Sequence, residues 1–126
     1  MAKSLLRIRL DVFHRQAGRC FYCNVLMWTD DCVAFAKRHG LSPRAARWLQ
    51  CTVEHLCARQ DGGRDSRRNI AAACRLCNHR RHAQRKIAPT PEKYRSLVQR
   101  RVSRKRWHVP QVFERGLIAG ELLGAG

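Results

Sequence analysis

The sequence predicts a small α+β protein in which a strand–loop–strand–helix unit is held together by a metal ion on four cysteines. Three observations lead to this prediction. The chain has 126 residues, which is enough for one domain with extensions. Two CxxC pairs, Cys20/Cys23 and Cys74/Cys77, stand 51 residues apart. Around the second pair, residues 51–86 change from short β-branched runs to a helical pattern.

The first predicted element is a helix over residues 5–17, in which apolar residues recur at helical spacing. Gly18 ends it, and the turn GRCFYC that follows presents the first two cysteines. Residues 30–50 are predicted to form two short helices, the second with Ser42 as N-cap and Pro43 at its first position. We interpret this block as a helical insertion.

Two strands and a helix follow the insertion. Residues 51–57, CTVEHLC, are predicted as a strand, an aspartate and two glycines form the turn signal, and NIAAAC over 69–74 returns as a second strand. RLCNHRRHAQRK over 75–86 is then a helix. Another helix opens at Thr90. The last stretch, residues 109–126, has a weak pattern, and its Gly-rich end is expected to be loose.

These elements predict one domain over residues 1–126. Its core would span about 15–86, with the helical insertion at about 30–50 and a basic C-terminal extension at about 89–126. No apolar run approaches the ~18 residues that a membrane span needs, and Arg7 and Arg9 interrupt the N-terminal apolar segment. We therefore expect a soluble, cytoplasmic protein with no membrane partner.

The charge balance predicts a polyanionic partner. The chain carries 26 Lys and Arg against 9 Asp and Glu, a formal net charge of +17. Of the basic residues, 21 are arginines, whose planar fork suits phosphate better than the point charge of lysine. Nucleic acid is the usual ligand of such a field.

The CxxC pairs predict a structural zinc site. Two residues between cysteines let both thiolates of one turn face the same ion, and zinc takes four such ligands in a tetrahedron. A four-thiolate site has no open position, so this ion would stabilise the fold without doing chemistry. The remaining Cys32, Cys51 and Cys57 are interpreted as small buried hydrophobic residues.

Five polar residues of the strand–strand–helix unit are candidates for an active site. Glu54 and His55 lie on the first strand and Asn69 opens the second. Asn78 and His82 stand at i and i+4 of the helix, so they share a face. If the strands pack on that face, a carboxylate, an amide and an imidazole converge on an open metal site, and His55 is left free beside it.

These motifs resemble the HNH endonuclease family and its ββα-metal fold. VEHLCARQDGG, then Asn69, then CRLCN give intervals of 14 residues from His55 to Asn69 and 9 from Asn69 to Asn78. Flanking CxxC pairs are typical of the zinc-containing branch of that family. The resemblance covers roughly residues 15–86.

The resemblance implies metal-dependent hydrolysis of DNA. His55 would be the general base that deprotonates water, and Asn69 would orient His55 through the backbone. Glu54, Asn78 and His82 would hold one catalytic divalent cation. The oxygen ligands favour Mg²⁺ or Mn²⁺, and His82 extends the choice to Ni²⁺, Co²⁺ or Zn²⁺.

Two positions depart from the family pattern. Glu54 stands where Asp or His is commoner, and its longer arm could shift the ion. Asn78 takes the place of the signature's last histidine.

Arginines flank this site and are predicted to bind DNA phosphates, which positions a duplex without reading its sequence. The predicted DNA-binding residues are Arg59, Arg64, Arg67, Arg68, Arg75, Arg80, Arg81, Arg85 and Lys86. The C-terminal RRVSRKRW is either a clamp or a solvated tail, and its Trp107 either stacks on a base or packs.

Two other functions remain open at this stage. One is a zinc-containing module that binds nucleic acid in a larger assembly without cutting it, and the other is a toxin DNase delivered between cells. The joint presence of Glu54, His55, Asn69 and Asn78 favours the nuclease, because binding alone needs only the arginines. The sequence does not decide between a monomer and a homodimer.

Overall fold

The computed structural model describes residues 3–83 and 87–118, with the Lys3 side chain excepted. In chain order its elements are α1 (Lys3–Arg15), α2 (Cys32–His39), α3 (Pro43–Arg47), β1 (Cys51–His55), β2 (Ile70–Cys74), α4 (Arg75–His82), α5 (Pro91–Ser103) and α6 (Pro110–Glu114). A 3₁₀ turn, Arg59–Asp61, lies in the loop between the strands. The α+β class is confirmed.

The centre of the fold is an antiparallel hairpin followed at once by α4. Cys51 pairs with Cys74 at one end of the sheet and His55 with Ile70 at the other. All five residues of β2 are buried, because α1 and α4 pack against it. Cys74 ends β2 and also caps α4, since its Sγ accepts the N–H of Cys77.

The helices lie near the predicted positions for local reasons, although α1 covers Lys3–Arg15 instead of residues 5–17 and α4 ends at His82. α1 buries Leu5, Ile8 and Val12, which lie on one face at helical spacing. Ser42 and Thr90 accept backbone N–H groups as N-caps of α3 and α5. Each of these two helices has proline at its start, where the missing N–H costs nothing.

The C-terminal extension is ordered up to residue 118. Its sequence pattern is weak and predicted no element there, but Pro110–Glu114 forms α6. Val112 and Leu117 are buried, and Val25 pairs with Ile118 in an isolated bridge. This burial orders the segment; residues 119–126 lie outside the described part. None of the described helices is long and apolar enough to cross a bilayer.

Candidate active site and metal centre

The four predicted cysteines form one buried cluster. The sulfur atoms of Cys20, Cys23, Cys74 and Cys77 all lie within 4.8 Å of one another. Sulfur ligands ~2.3 Å from a tetrahedral zinc ion are about 3.8 Å apart, and the Sγ atoms of Cys23 and Cys74 are separated by 3.8 Å. The donor atoms and their spacing therefore fit a structural zinc ion.

Without a metal, this cluster resists full deprotonation. Burial, reinforced by the neighbouring thiols, raises the pKa of the Cys23 and Cys77 thiols. Burial also opposes ionisation of Cys20, but hydrogen bonds from the other cysteines outweigh it and lower the pKa of Cys20. Four adjacent thiolates need a cation, so zinc binding releases protons.

The C-terminal extension covers the cysteine cluster. Trp107 donates its indole N–H to Cys77 Sγ at 3.2 Å, and His108 Nε2 lies 3.2 Å from Cys23 Sγ. Burial lowers the pKa of His108 to about 4, so its imidazole is neutral at physiological pH. Trp107 thus packs against the cysteine cluster, and His108 has a structural position there.

Glu54 is the most enclosed polar side chain of the ββα unit, with 2 % of its surface exposed. Tyr22 donates its O–H to Oε2 at 3.0 Å, and Arg81 donates to the same oxygen at 3.1 Å. The other oxygen, Oε1, lies 3.1 Å from Nε2 of His82. Two donors thus fix one carboxylate oxygen while the second is presented to an imidazole.

The phenol that fixes Glu54 stays protonated. Burial of the hydroxyl, together with the Glu54 carboxylate, raises the pKa of Tyr22 above its ordinary range. Tyr22 therefore remains a donor at any physiological pH. It lies between Cys20 and Cys23, so one short segment contributes both to the cysteine cluster and to the hydrogen bonding of Glu54.

Asn78, in the first half of α4, is held against β1. Its Nδ2 donates to Thr52 Oγ1 at 3.0 Å and to the Val53 carbonyl at 2.9 Å. The structure therefore brings Glu54 and His82 together directly and holds Asn78 one turn earlier on α4, beside the strand residue that precedes Glu54. Whether these three share a cation stays a prediction.

His55 points toward the interstrand loop. Side chains alternate along a strand, so His55 leaves β1 on the side opposite Glu54. Its Nε2 lies 2.7 Å from Asp65 Oδ1, and about a fifth of its side chain remains exposed. Arg59 donates to both oxygens of Asp65.

Asn69 holds the loop that follows His55. Its Oδ1 accepts the Cys57 N–H at 2.8 Å, and its Nδ2 donates to the carbonyls of Cys57 and Arg64 at 2.9 and 3.0 Å. The backbone carbonyl of Asn69 also accepts the N–H of Leu56. Asn69 thus fixes residues 56–64 and not the His55 backbone itself.

Gly63 lets this loop close. A Cβ built there would lie 1.8 Å from the carbonyl oxygen of Cys57, whereas one built at Gly62 meets no atom within 4 Å. We expect Gly63→Ala to lower the free energy of unfolding by about 3 kcal/mol, because backbone cannot move aside as a side chain can. Gly62→Ala should cost only about 1 kcal/mol, for its left-handed φ of 90°.

Urea denaturation of the two variants measures this difference. They differ by one position in the same loop, so composition and charge are matched. Equal losses in the two variants would contradict the steric reason given for Gly63.

The predicted DNA-binding residues that the structure describes fall into three groups. Arg64, Arg68, Arg75 and Arg80 are exposed, and the last two stack on Trp48 and Trp107. Arg59 and Arg67 are exposed but paired, with Asp65 and Asp11 respectively. Arg81 is buried against Glu54 and so does not offer its guanidinium to a phosphate. Arg85 and Lys86 lie outside the described residues.

Sequence reasoning missed Tyr22, Asp65 and the true place of Arg81. A signal existed for Arg81, because it lies three residues after Asn78 and therefore on the same helix face. No pattern connected Tyr22 with Glu54 across 32 residues. Cys57, predicted to be buried, is exposed, whereas Cys51 is buried as predicted.

A cavity of about 820 Å³ lies elsewhere, between α3, α4, α5 and the C-terminal extension. Its walls include Trp48, Arg80 and Trp107, but neither Glu54 nor His55. The residues assigned to chemistry therefore lie outside this cavity.

Comparison with known proteins agrees with this geometry. The family model described as HNH endonuclease matches residues 39–84, the segment that contains β1, the interstrand loop, β2 and α4. No curated protein and no solved structure matches the chain significantly. The family match confirms the resemblance drawn from the motifs, and the cysteine cluster is consistent with a zinc-containing variant.

Proposed function

We propose that this protein is a metal-dependent DNA endonuclease whose active site lies at the end of β1, because residues 39–84 match the HNH endonuclease family model. The observation that carries the proposal is the Glu54–His82 pair, whose Oε1 and Nε2 atoms lie 3.1 Å apart where β1 ends at His55. HNH domains act on nucleic acids, and a carboxylate with an imidazole adds what binding alone does not require. We take residues 1–126 as one nuclease domain.

Glu54, His82 and Asn78 would hold the catalytic cation. Neighbouring ligands of an octahedral ion with bonds of ~2.1 Å are about 3 Å apart, close to the separation of Glu54 Oε1 and His82 Nε2. Tyr22 and Arg81 orient the carboxylate from behind, as hydrogen-bonding partners of metal ligands commonly do. A bound divalent cation supplies charge stabilisation at the scissile phosphate.

His55 would act as the general base. Water attacks phosphorus, its proton passes to the His55 imidazole, and the bond from phosphorus to the 3′ oxygen breaks. The expected ends are a 5′-phosphate and a 3′-hydroxyl, as is typical of the family. A neutral imidazole can accept this proton from water.

The surface charge would bring DNA to this edge. Arg64 and Arg68 are exposed on the interstrand loop and Arg75 and Arg80 on α4, so both elements around the site present cations. With a net charge of +17, association should weaken steeply as salt rises.

Conversion of supercoiled plasmid tests the proposal. We expect nicking or linearisation with Mg²⁺ or Mn²⁺, its loss in EDTA, and a rate lowered at least ~100-fold by His55→Ala, the usual loss when a general base is removed. His14→Ala, on the exposed surface of α1, is the matched control and should cleave like the wild type. Zinc content and melting temperature show that each variant is folded.

One observation favours the alternative of a non-catalytic nucleic-acid-binding module. Arg81 already compensates the buried charge of Glu54, so that carboxylate does not need a cation to be buried. A folded, zinc-loaded protein that shifts DNA in a gel but cleaves none with any of the five candidate ions would support this module and contradict the nuclease.

A further inference from the structure

The interstrand loop carries a carboxylate that contacts the proposed base directly. Asp65 Oδ1 lies 2.7 Å from His55 Nε2, within the range of a hydrogen bond between a nitrogen and an oxygen. Nothing in the motif analysis assigned a role to Asp65. The contact joins residues ten positions apart, so the path of the loop creates it.

Contacts within the loop place the Asp65 carboxylate beside His55. Asn69 bonds to backbone groups of Cys57 and Arg64, the two ends of the turn that precedes Asp65. Gly63 permits the close approach of the turn to Cys57. Asn69 therefore acts on His55 at a distance, because the loop it closes places Asp65 beside the imidazole.

A third residue holds Asp65 in position. Arg59 Nη2 donates to Oδ1 at 3.0 Å and to Oδ2 at 2.8 Å, and Arg59 Nε donates to Oδ1 at 3.2 Å. Forked contacts of this kind fix the plane of a carboxylate as well as its place. The main contact of Arg59 is therefore with Asp65, although its charge still adds to the positive field of the loop.

The direction of the hydrogen bond follows from the charge of Asp65. The hydrogen bond from His55, together with the hydrogen bonds and charge of Arg59, lowers the pKa of Asp65 against an opposing effect of desolvation. An ionised carboxylate can only accept hydrogen bonds. Nε2 of His55 must therefore carry the hydrogen, and in the neutral imidazole the lone pair lies on Nδ1.

We propose that Asp65 is a positioning residue that holds His55 in its Nε2–H tautomer and leaves Nδ1 as the nitrogen that takes the proton from the attacking water. This inference rests on the proposed function. In the step, the water O–H bond breaks, its proton forms a bond to Nδ1, and the resulting imidazolium keeps its Nε2–H bonded to Asp65. No other reactant is needed.

The tautomer can be measured without any cleavage. Nitrogen-15 spectra of the histidine rings, recorded about two pH units above the ordinary histidine pKa of ~6.5, distinguish the protonated from the bare nitrogen. We expect His55 of the wild type to be the Nε2–H form and Asp65→Ala to show a mixture of both forms. A wild-type ring with its hydrogen on Nδ1, or a spectrum unchanged in Asp65→Ala, would overturn the inference.

Cleavage kinetics test the consequence with a matched control. We expect Asp65→Ala to lower kcat about 10- to 100-fold, the usual loss when a partner that orients a functional group is removed. Asp61→Ala removes the same charge from the exposed 3₁₀ turn of the same loop and should leave kcat near wild type. Both variants should change KM for DNA alike, because both remove one negative charge.

An isosteric variant separates orientation from structure. Asp65→Asn keeps the shape of the side chain but can present an N–H to Nε2, which favours the wrong tautomer. We expect it to be at least as slow as Asp65→Ala. Equal kcat values for the Asp65 and Asp61 variants would overturn the inference, whereas absence of cleavage by the wild type would overturn the proposed function and leave the pairing to the spectra.

Discussion

Cys23→Ala is expected to abolish the stable fold, whereas Cys51→Ala should leave the protein folded. Both side chains are fully buried and both variants remove one sulfur atom. Only Cys23 belongs to the metal cluster. Thermal melting followed by circular dichroism, together with the zinc content of each purified variant, measures the difference.

The expected size follows from the coupling of zinc binding to folding. Structural zinc sites contribute apparent free energies of about 10–16 kcal/mol, and a small domain is stable by only about 5–15 kcal/mol in total. Loss of a large share of the zinc-binding free energy would therefore equal or exceed the total stability of the domain. Cys51→Ala lacks this coupling and should cost only a few kcal/mol, as small core deletions do.

Chelation of the wild-type protein is the corresponding experiment without mutation. Excess chelator should lower the melting temperature, and added zinc should restore it. Melting curves for Cys23→Ala that coincide with those of Cys51→Ala would contradict a structural metal on the four cysteines. The result would also remove the reason for the Trp107 N–H and the His108 imidazole to lie against these sulfur atoms.

The parts of the fold that sequence predicted are those with local causes. CxxC spacing, the N-caps Ser42 and Thr90, and the order of strands and helix each depend on residues within a few positions of one another. The family model confirms the HNH assignment made from the motifs. The sequence also indicated the cysteine cluster, because two pairs of soft ligands have few other uses in a small basic chain.

The parts that sequence did not predict depend on long-range contacts. Tyr22 reaches Glu54 across 32 residues and His108 reaches Cys23 across 85, and no periodicity connects such positions. Arg81 was interpreted as one more cation of a basic helix, because its charge matched the others. Only its burial, at 5 % exposure, separates it from them.

The second large effect is expected from Arg81→Met. This substitution leaves the Glu54 carboxylate buried without its guanidinium partner, and breaking a buried ion pair costs about 3–5 kcal/mol. Arg101→Met, on the exposed surface of α5, is the matched control and should change stability by less than ~0.5 kcal/mol. Urea denaturation of both variants measures the two free energies.

A double variant identifies the charge as the cause. In Glu54→Gln with Arg81→Met the buried group is neutral and still accepts the Tyr22 hydroxyl, so much of the lost stability should return. Losses that simply add would show that Arg81 stabilises the fold through its bonds to the carbonyls of His55, Leu56 and Pro89 instead.

The response of Arg81→Met to a divalent cation tests whether its stability is linked to metal binding at Glu54. In Arg81→Met the carboxylate retains its contact with His82 but lacks a permanent positive neighbour, so a cation bound by Glu54 would replace the missing charge. We therefore expect Mn²⁺ to raise the stability of Arg81→Met more than that of the wild type or of Arg101→Met, since a ligand stabilises the state that binds it more tightly. An equal response of all three proteins to Mn²⁺ would mean that the ion does not bind at Glu54. In that case the buried pair would be a structural feature of the fold, and the nuclease would need its cation elsewhere.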